Sequence, residues 1–483
     1  MKALLFSICL FSTAFINAQT FTEATGQMFT GISFSSIAFA DIDGDSDVDL
    51  LITGDTTNQG QSATILYSND GTGIFTEISG TPFVSVLWSS VAFADVDNDS
   101  DLDVMICGSP SSWGQPVCKL YLNDSIGGFT EALSTQFQGV SAASIAFADI
   151  DGDLDMDVVI AGNAASSWPS QPSTKLYSNN GNGIFTEVLN TPFDGLHYAS
   201  IAFSDLDGDL DMDLIIAGNT MATSPGSPSY VPKLYLNDGF GVFTQQVNTP
   251  FQGIRGPSIA LSDVDGDLDM DVLMAGSDSS YRPIAKLYLN DGSAGYTEST
   301  NTTFRGAKSP SIAFADVDAD ADMDVLVVGD TFDLSFSRLY INDGTGIFNA
   351  ISDTMFPGVS YSSAEFADVD GDADMDLLLA GNDSLNQPIT KLYFNDLYVV
   401  NISEQKEDLN IKIYPNPASS DLFISNTESF DYVSIYNAMG EFIKTEMLEF
   451  KNASINVSSL PHGLYIIELS GENASTWRTS FYK

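Results

Sequence analysis

Seven copies of one acidic nonapeptide, Asp-x-Asp-x-Asp-x-Asp-x-Asp, run down the chain. Their first residues are Asp41, Asp95, Asp149, Asp205, Asp263, Asp316 and Asp368, and the intervals are 54, 54, 56, 58, 53 and 52 residues. Each copy leads into an aliphatic run ending in glycine, then a variable stretch, then a K-L-Y-x-N-D-G-x-G-x-F segment or a close variant of it. A unit of this length cannot bury its own faces, so neighbouring copies must stack into a repeat architecture.

Within each unit, short β-branched and aromatic runs lie between Gly, Asn and Asp, which is the pattern of strands and turns. Four strands are expected per unit, represented by SIAFAD, VDLLITG, KLYLND and FTE, and no useful length shows helical periodicity. Seven four-stranded units predict an all-β chain with a seven-bladed β-propeller over residues 19–397. The last unit stops at Asp396 without its own FTE, whereas Phe21-Thr22-Glu23 precedes the first unit. The N-terminal segment is therefore expected to complete the last blade and close the ring, removing an open sheet edge.

The glycine that ends the second strand lies 12, 12, 14, 16, 11, 10 and 11 residues before the Leu of the K/R-L-Y segment. Each interval less its own step leaves 42, so all length variation falls in one loop of the unit. In an up-and-down blade, the turns joining strands one to two and three to four share one face of the disc. The other two connections share the opposite face. One face is thus constant and acidic and the other variable, and variable loops on a rigid scaffold are where recognition concentrates.

Crowded carboxylates repel one another unless something offsets the cost, and hard cations take oxygen ligands from such groups. The nonapeptide is not an EF-hand: Gly44 stands at position 4, Ile52 at position 12, and a strand follows. Its A-D-x-D-G-D-x-D-x-D-aliphatic form, with the Y-x-N-D-G-x-G-x-F segment, resembles the calcium loop of the FG-GAP/VCBS repeat family, which includes the integrin α-subunit propeller. The resemblance covers about residues 21–396 and implies up to seven structural Ca²⁺ ions. It implies side-chain ligands from positions 1, 3, 5 and 9, with position 7 offering its carbonyl. The residues so implied are Asp41, Asp43, Asp45 and Asp49; Asp95, Asp97, Asp99 and Asp103; Asp149, Asp151, Asp153 and Asp157; Asp205, Asp207, Asp209 and Asp213; Asp263, Asp265, Asp267 and Asp271; Asp316, Asp318, Asp320 and Asp324; and Asp368, Asp370, Asp372 and Asp376. Asn98 and Ala319 replace the position-4 glycine, and Ala is the less tolerant of a left-handed turn, which predicts weaker binding in the turn beginning at Asp316.

A formal net charge of −48 excludes nucleic acid as a partner, because phosphate binding needs clustered Lys and Arg. Disorder is excluded too, since 43% of residues are hydrophobic. Residues 1–18 form a secretory signal peptide, one Lys followed by an apolar stretch and Ile16 and Ala18 before the expected cleavage, and no later segment is long and apolar enough to span a membrane. In an oxidising compartment Cys107 and Cys118, at facing ends of an expected hairpin, are candidates for a disulfide.

Six cations share the K/R-L-Y slot, which marks them as framework. Arg255, Arg282, Arg305 and Lys308 are left over on the variable face, with His197 in the slot that matches Arg255 and Lys308. The same face carries Phe34, Trp88, Tyr198 and Tyr361 at one equivalent position, and Trp113, Trp168, Tyr230 and Tyr281 in the variable loops. These aromatics either pack beneath their own loops or present platforms for sugars beside the cations. After a linker at 398–410, the strings Y-P-N-P, I-Y-N-x-x-G and L-P-x-G-x-Y within 411–483 resemble the type A C-terminal sorting domain of the type IX secretion system. That resemblance implies a small β-sandwich, engagement by the secretion machinery of a Bacteroidetes-type bacterium, and delivery to the cell surface or medium. His462 lies in a turn of this module. Two function classes follow: a non-enzymatic adhesion or glycan-binding propeller with a glycan or protein ligand, or a polysaccharide lyase using His197, Tyr198 and Arg255. The absence of H-E-x-x-H and G-x-S-x-G favours binding.

Overall fold

The computed structural model describes residues 20–396, save 167–168, 221–229, 333 and 352–354, and residues 411–483, save 419, 426–429, 438–441, 449–451, 462 and 472–473. The expected signal peptide and linker, Trp168 and His462 lie outside the described residues. The chain divides into two compact units, Met1–Leu397 and Tyr398–Lys483.

The first unit is a seven-bladed propeller of antiparallel four-stranded sheets. Its inner strands are Ser33–Ala40, Leu87–Ala94, Ser141–Ala148, His197–Ser204, Arg255–Ser262, Lys308–Ala315 and Ser360–Ala367, defining blades 1 to 7. Each inner strand contacts the next around the ring, and the seventh contacts the first. Closure is made as expected: Thr20–Glu23 pairs with Pro388–Asp396, with Phe21 opposite Asn395 and Glu23 opposite Tyr393. Lys391 Nζ donates to Glu23 Oε1 at 2.8 Å across this seam.

Apolar burial is concentrated between blades. The second strands are buried along all of their length, as in Asp49–Asp55, or all but the last residue, as in Asp157–Asn163. Leu51 and Leu66 of blade 1 share one cluster with Val104 and Ile106 of blade 2, and equivalent layers fill other blade interfaces. Burying each such aliphatic side chain contributes roughly 1.5–3 kcal/mol. An aromatic group recurs in every blade. The Phe of the approach to the inner strand packs on the Tyr of K/R-L-Y and on the aromatic residue of the outer strand. In blade 1, Phe29 lies 5.3 Å from Tyr67 and 5.6 Å from Phe75. In blade 7 the outer member is Phe21, 5.1 Å from Phe356, so the N-terminal strand completes the packing as well as the sheet.

The second unit packs a three-stranded sheet (Ile413–Tyr414, Asp421–Ser425, Asn452–Asn456) with a four-stranded sheet built on Tyr432–Asn437 and Leu464–Gly471. Leu422, Ile424, Val433, Ile435, Ile467 and Leu469 form the sandwich core between them.

Acidic turns and the loop-face groove

The nonapeptide folds into a turn organised by its own carboxylates. Asp41 Oδ1 accepts from Gly44 N at 2.8 Å and its Oδ2 from Ser46 N at 3.0 Å, while Asp45 Oδ1 accepts from Asp47 N at 3.0 Å. Position 4 is left-handed in every copy, including Asn98 (φ 61°) and Ala319 (φ 57°). Position 6 is left-handed too, although it holds Ser, Leu or Ala (Ser46 φ 77°, Leu210 φ 75°, Ala321 φ 73°), a second strained residue that nothing in the sequence pattern announces.

Position 9 is a junction. Asp49 Oδ2 accepts from Ile42 N at 3.1 Å and Oδ1 from Asn69 N at 2.8 Å, which ties the acidic turn to the turn between strands three and four. The same pair of bonds is made by Asp103, Asp157, Asp213, Asp271, Asp324 and Asp376. Burial nevertheless pushes these carboxyls up, to about 6 in Asp49 and Asp213 and about 7 in the other five, because two N–H donors do not offset desolvation and the neighbouring aspartates.

Position 3 carries an oxygen without a partner. Oδ1 of Asp43, Asp97, Asp151, Asp207, Asp265, Asp318 and Asp370 is buried with no hydrogen-bond partner in all seven copies. Burial, then repulsion from position 5, raises each of these carboxyls, Asp318 to about 6. Ligand oxygens of positions 1, 3 and 5 in the turns at Asp41 and Asp95, and of positions 1, 3 and 9 in those at Asp149, Asp205 and Asp263, lie within 4.8 Å of one another. A converging set of anionic oxygens, one of them orphaned, fits a hard divalent cation.

The Asn of N-D-G, or of its variants, is the element that residue patterns did not reveal. Its side-chain amide donates to a carbonyl in the acidic turn of the preceding blade: Asn123 to Ile42, Asn179 to Val96, Asn237 to Ile150, Asn290 to Leu206, Asn342 to Val264 and Asn395 to Val317, at 2.7–2.9 Å. Asn69 donates to Val369 at 2.8 Å and so joins blade 1 to blade 7. One Asn per blade thereby fixes its own acidic turn and its neighbour's. A Cβ in place of Gly71 would strike the Asp47 carboxylate, whereas in blade 2 the same left-handed position holds Ser125, whose Oγ donates to Asp101 Oδ2 at 2.8 Å. On the rim, Lys119, Lys175, Lys286 and Lys391 pair with outer-strand glutamates at 2.7–2.8 Å, while Lys233 pairs with Asp194, since Gln245 stands where the others have Glu.

On the opposite face, the second residue of every inner strand is left-handed: Phe34, Trp88, Ala142, Tyr198, Gly256, Ser309 and Tyr361, with φ between 42° and 51°. The strand pairing shifts register at this residue in each blade, for example between Ser33 and Ser36. A non-glycine residue held there costs about 1–3 kcal/mol, and such strain clusters at binding sites. The bulge turns these side chains towards the mouth of the axial channel, a cavity of about 380 Å³ bordered by all seven of them. Phe34 lies 4.1 Å from Tyr361 and 6.1 Å, edge-on, from Trp88.

Ala142 is small where its neighbours are large, and beside it opens a groove of about 420 Å³. One wall is Trp88 and Trp113; the other is His197 and Tyr198, whose rings are 5.3 Å apart; Ser141, Ala142, Asn163 and Ser166 line it between them. Trp113 is 83% exposed and Tyr198 55%. His197 Nδ1 is buried without a partner, and burial holds its imidazole below the usual range. The loop carrying Trp113 springs from Cys107 and Cys118, which face each other across the hairpin and form a disulfide.

The leftover cations do not gather in this groove. Arg255 is clamped between Tyr230 and Tyr281, its Cζ 3.9 and 4.2 Å from the ring centres. Arg282 Nε donates to Asp278 at 3.1 Å within its own loop. Arg305 lies over Phe336 and Lys308 over Phe332. Tyr230 and Tyr281 are thus spent on packing a cation, and the trio of His197, Tyr198 and Arg255 is not assembled at the groove.

Comparison with known proteins places names on both units. Residues 412–481 match the secretion system C-terminal sorting domain, and residues 41–106 and 263–327 match the FG-GAP-like repeat. The propeller therefore carries FG-GAP-like repeats, and the chain ends in a sorting domain that sends it through the type IX system to the cell surface or extracellular space. Beta-agarase A of Zobellia galactanivorans is 33% identical over 63 residues, 13% of this chain and 12% of that protein. The chain thus spans about an eighth of that curated relative's length. Among solved structures, the extracellular domain of a putative hybrid two-component system from B. thetaiotaomicron aligns over 96% of this chain and 57% of its own, at 10% identity and a TM-score of 0.41. PorZ, an essential surface component of the type IX secretion system of Porphyromonas gingivalis, aligns over 90% and 58% at 12% identity and 0.41. An Aleuria aurantia lectin mutant in complex with alpha-methyl-L-fucoside aligns over 76% and 91% at 9% identity and 0.36.

Proposed function

We propose that this is an exported binding protein whose acidic turns hold calcium and whose loop face takes carbohydrate without transforming it. The observation that carries the reading is the groove over Ala142, where partly exposed aromatic faces stand on both sides of small and polar residues. Sugars bind in this way, with C–H faces stacked on rings and hydroxyls met by Ser and Asn. Asp43, its six position-3 equivalents and their neighbours at positions 1, 5 and 9 would hold the ions. The cations would neutralise the carboxylates and fix the turns that Asn69 and its counterparts join from blade to blade. Such ions serve the scaffold and leave the groove to recognition.

A glycan array probed with the calcium-loaded protein tests this. Specific carbohydrate binding is expected, and Trp88→Ala combined with Trp113→Ala should abolish it, whereas Arg255→Ala, already stacked away between two tyrosines, should not. An array without specific binders, or binding that survives loss of both tryptophans, would overturn the groove assignment. The competing lyase reading draws on His197 beside Tyr198. Release of unsaturated, ultraviolet-absorbing products from uronate polymers would establish it in place of the binding role.

A further inference from the structure

One inner strand breaks the pattern of the other six. At the register of Ala38, Ala92, Ala146, Ala202, Ala260 and Ala313, blade 7 places Glu365, each paired with the equivalent residue of its second strand. The inner-strand positions flanking the axis are otherwise small: Ser35, Ser36 and Ala38 in blade 1, Pro257, Ser258 and Ala260 in blade 5, Pro310, Ser311 and Ala313 in blade 6. All of these residues, and Glu365, are only partly buried, as positions beside the axis below the mouth would be. The Glu365 carboxyl is enclosed there, and the donor that reaches it is the backbone N–H of Phe39 in blade 1. Burial raises it to about 8. So enclosed, the carboxyl keeps its proton near neutral pH unless a counter-charge joins it and holds it ionised, and the six alanines at its level supply none.

Four residues up the same strand, roughly 13 Å away at strand rise, Tyr361 stands in the aromatic mouth with Phe34, Trp88 and Tyr198. Gly256 and Ser309 leave that mouth open on the side of blades 5 and 6. An aromatic collar above a single buried carboxylate is the arrangement that selects an organic cation: the rings attract an ammonium and shelter an alkyl stem, and the acid pairs with the charge. A hard metal ion is the poorer match, because it wants six or more oxygens and the acids of the turns lie at the other face. We propose that the axial channel is a second binding site, for a primary alkylammonium chain, with Glu365 as its counter-ion and Phe34, Trp88, Tyr198 and Tyr361 as its collar. The site shares Trp88 and Tyr198 with the carbohydrate groove, differs from it in resting on Glu365, and is separate from the acidic turns.

Calorimetric titration with n-hexylammonium, in millimolar calcium so that weak binding at the acidic turns is competed, tests it on the intact protein. One molecule per chain is expected to bind. Hexanol, which has the stem without the charge, should bind at least tenfold more weakly. Glu365→Ala gives blade 7 the residue that the other six blades already carry, so the fold should persist, and the amine affinity should fall at least tenfold. No detectable binding of the amine, equal affinity in Glu365→Ala, or equal affinity for hexanol would each overturn the proposal.

Discussion

The two faces of the propeller solve opposite problems. On the acidic face, seven turns repeat one network: position 9 accepts the same two N–H groups, the same Asn crosses to the preceding blade, and the same position-3 oxygen is left without a partner. On the loop face only the backbone repeats. Every inner strand has its left-handed second residue, but the side chain there is Phe, Trp, Ala, Tyr, Gly, Ser or Tyr. Uniform chemistry makes a frame, and uniform geometry with varied side chains makes a site. The groove exists because blade 3 puts Ala142 between Trp88 and Tyr198.

If that division holds, damage to one face should leave the other largely unchanged. The largest effect expected is from calcium removal. Each site saturated at a hundredfold its Kd adds about 2.7 kcal/mol, and seven coupled sites place the loss of melting temperature in excess chelator at roughly 20 °C. An unchanged melt would break the account of the acidic face. Next comes pH. The position-9 carboxyls are raised above their unfolded value to about 6 or 7, so the calcium-free fold keeps their contribution below about pH 4 and loses it as pH rises through that range, and the raised position-3 carboxyls act in the same direction. The melting temperature in chelator should therefore fall between pH 5 and 8. Saturating calcium should remove that fall, since the ions neutralise the same groups.

A smaller loss is expected from Asn237→Ala, which removes the blade 4 to blade 3 bond and leaves a buried carbonyl unmet, at about 1–3 kcal/mol in denaturant unfolding. Carbohydrate binding at the groove should be unaffected. Replacing Cys107 and Cys118 together by Ser should instead weaken that binding severalfold, by loosening the loop that carries Trp113, without changing calcium stoichiometry. Lys119→Met sets the lower limit. Its ion pair with Glu131 is only partly buried and is worth under about 1 kcal/mol.

The frame was far more legible in the residues than the site. The phase of the nonapeptide, the closing role of Phe21-Thr22-Glu23 and the framework slot of Lys119 and its equivalents all depend on local patterns, and the structure realises them directly. Asn69 and its counterparts were visible as part of a motif, but their reach to the preceding blade was not, because that bond spans 78–87 residues in six cases and the whole ring in the seventh. The left-handed bulge at Phe34, Trp88 and Tyr198 has no residue signature at all. Register between two strands imposes it, against the preference of bulky side chains. Arg255 looked available because a linear chain does not show Tyr230 and Tyr281 closing on it. Glu365 could have been found: S-S-A-E-F-A is the one inner strand to carry an acid where the others read S-I-A-F-A or a near variant.

Metal analysis of the protein after equilibrium dialysis against calcium at physiological extracellular concentration tests the central claim most directly. Seven ions per chain, or six should Ala319 weaken the turn at Asp316, is the expected count. A chain that emerges with no bound calcium would contradict it, and the carboxylates would then be a solvated surface with no part in holding the blades together.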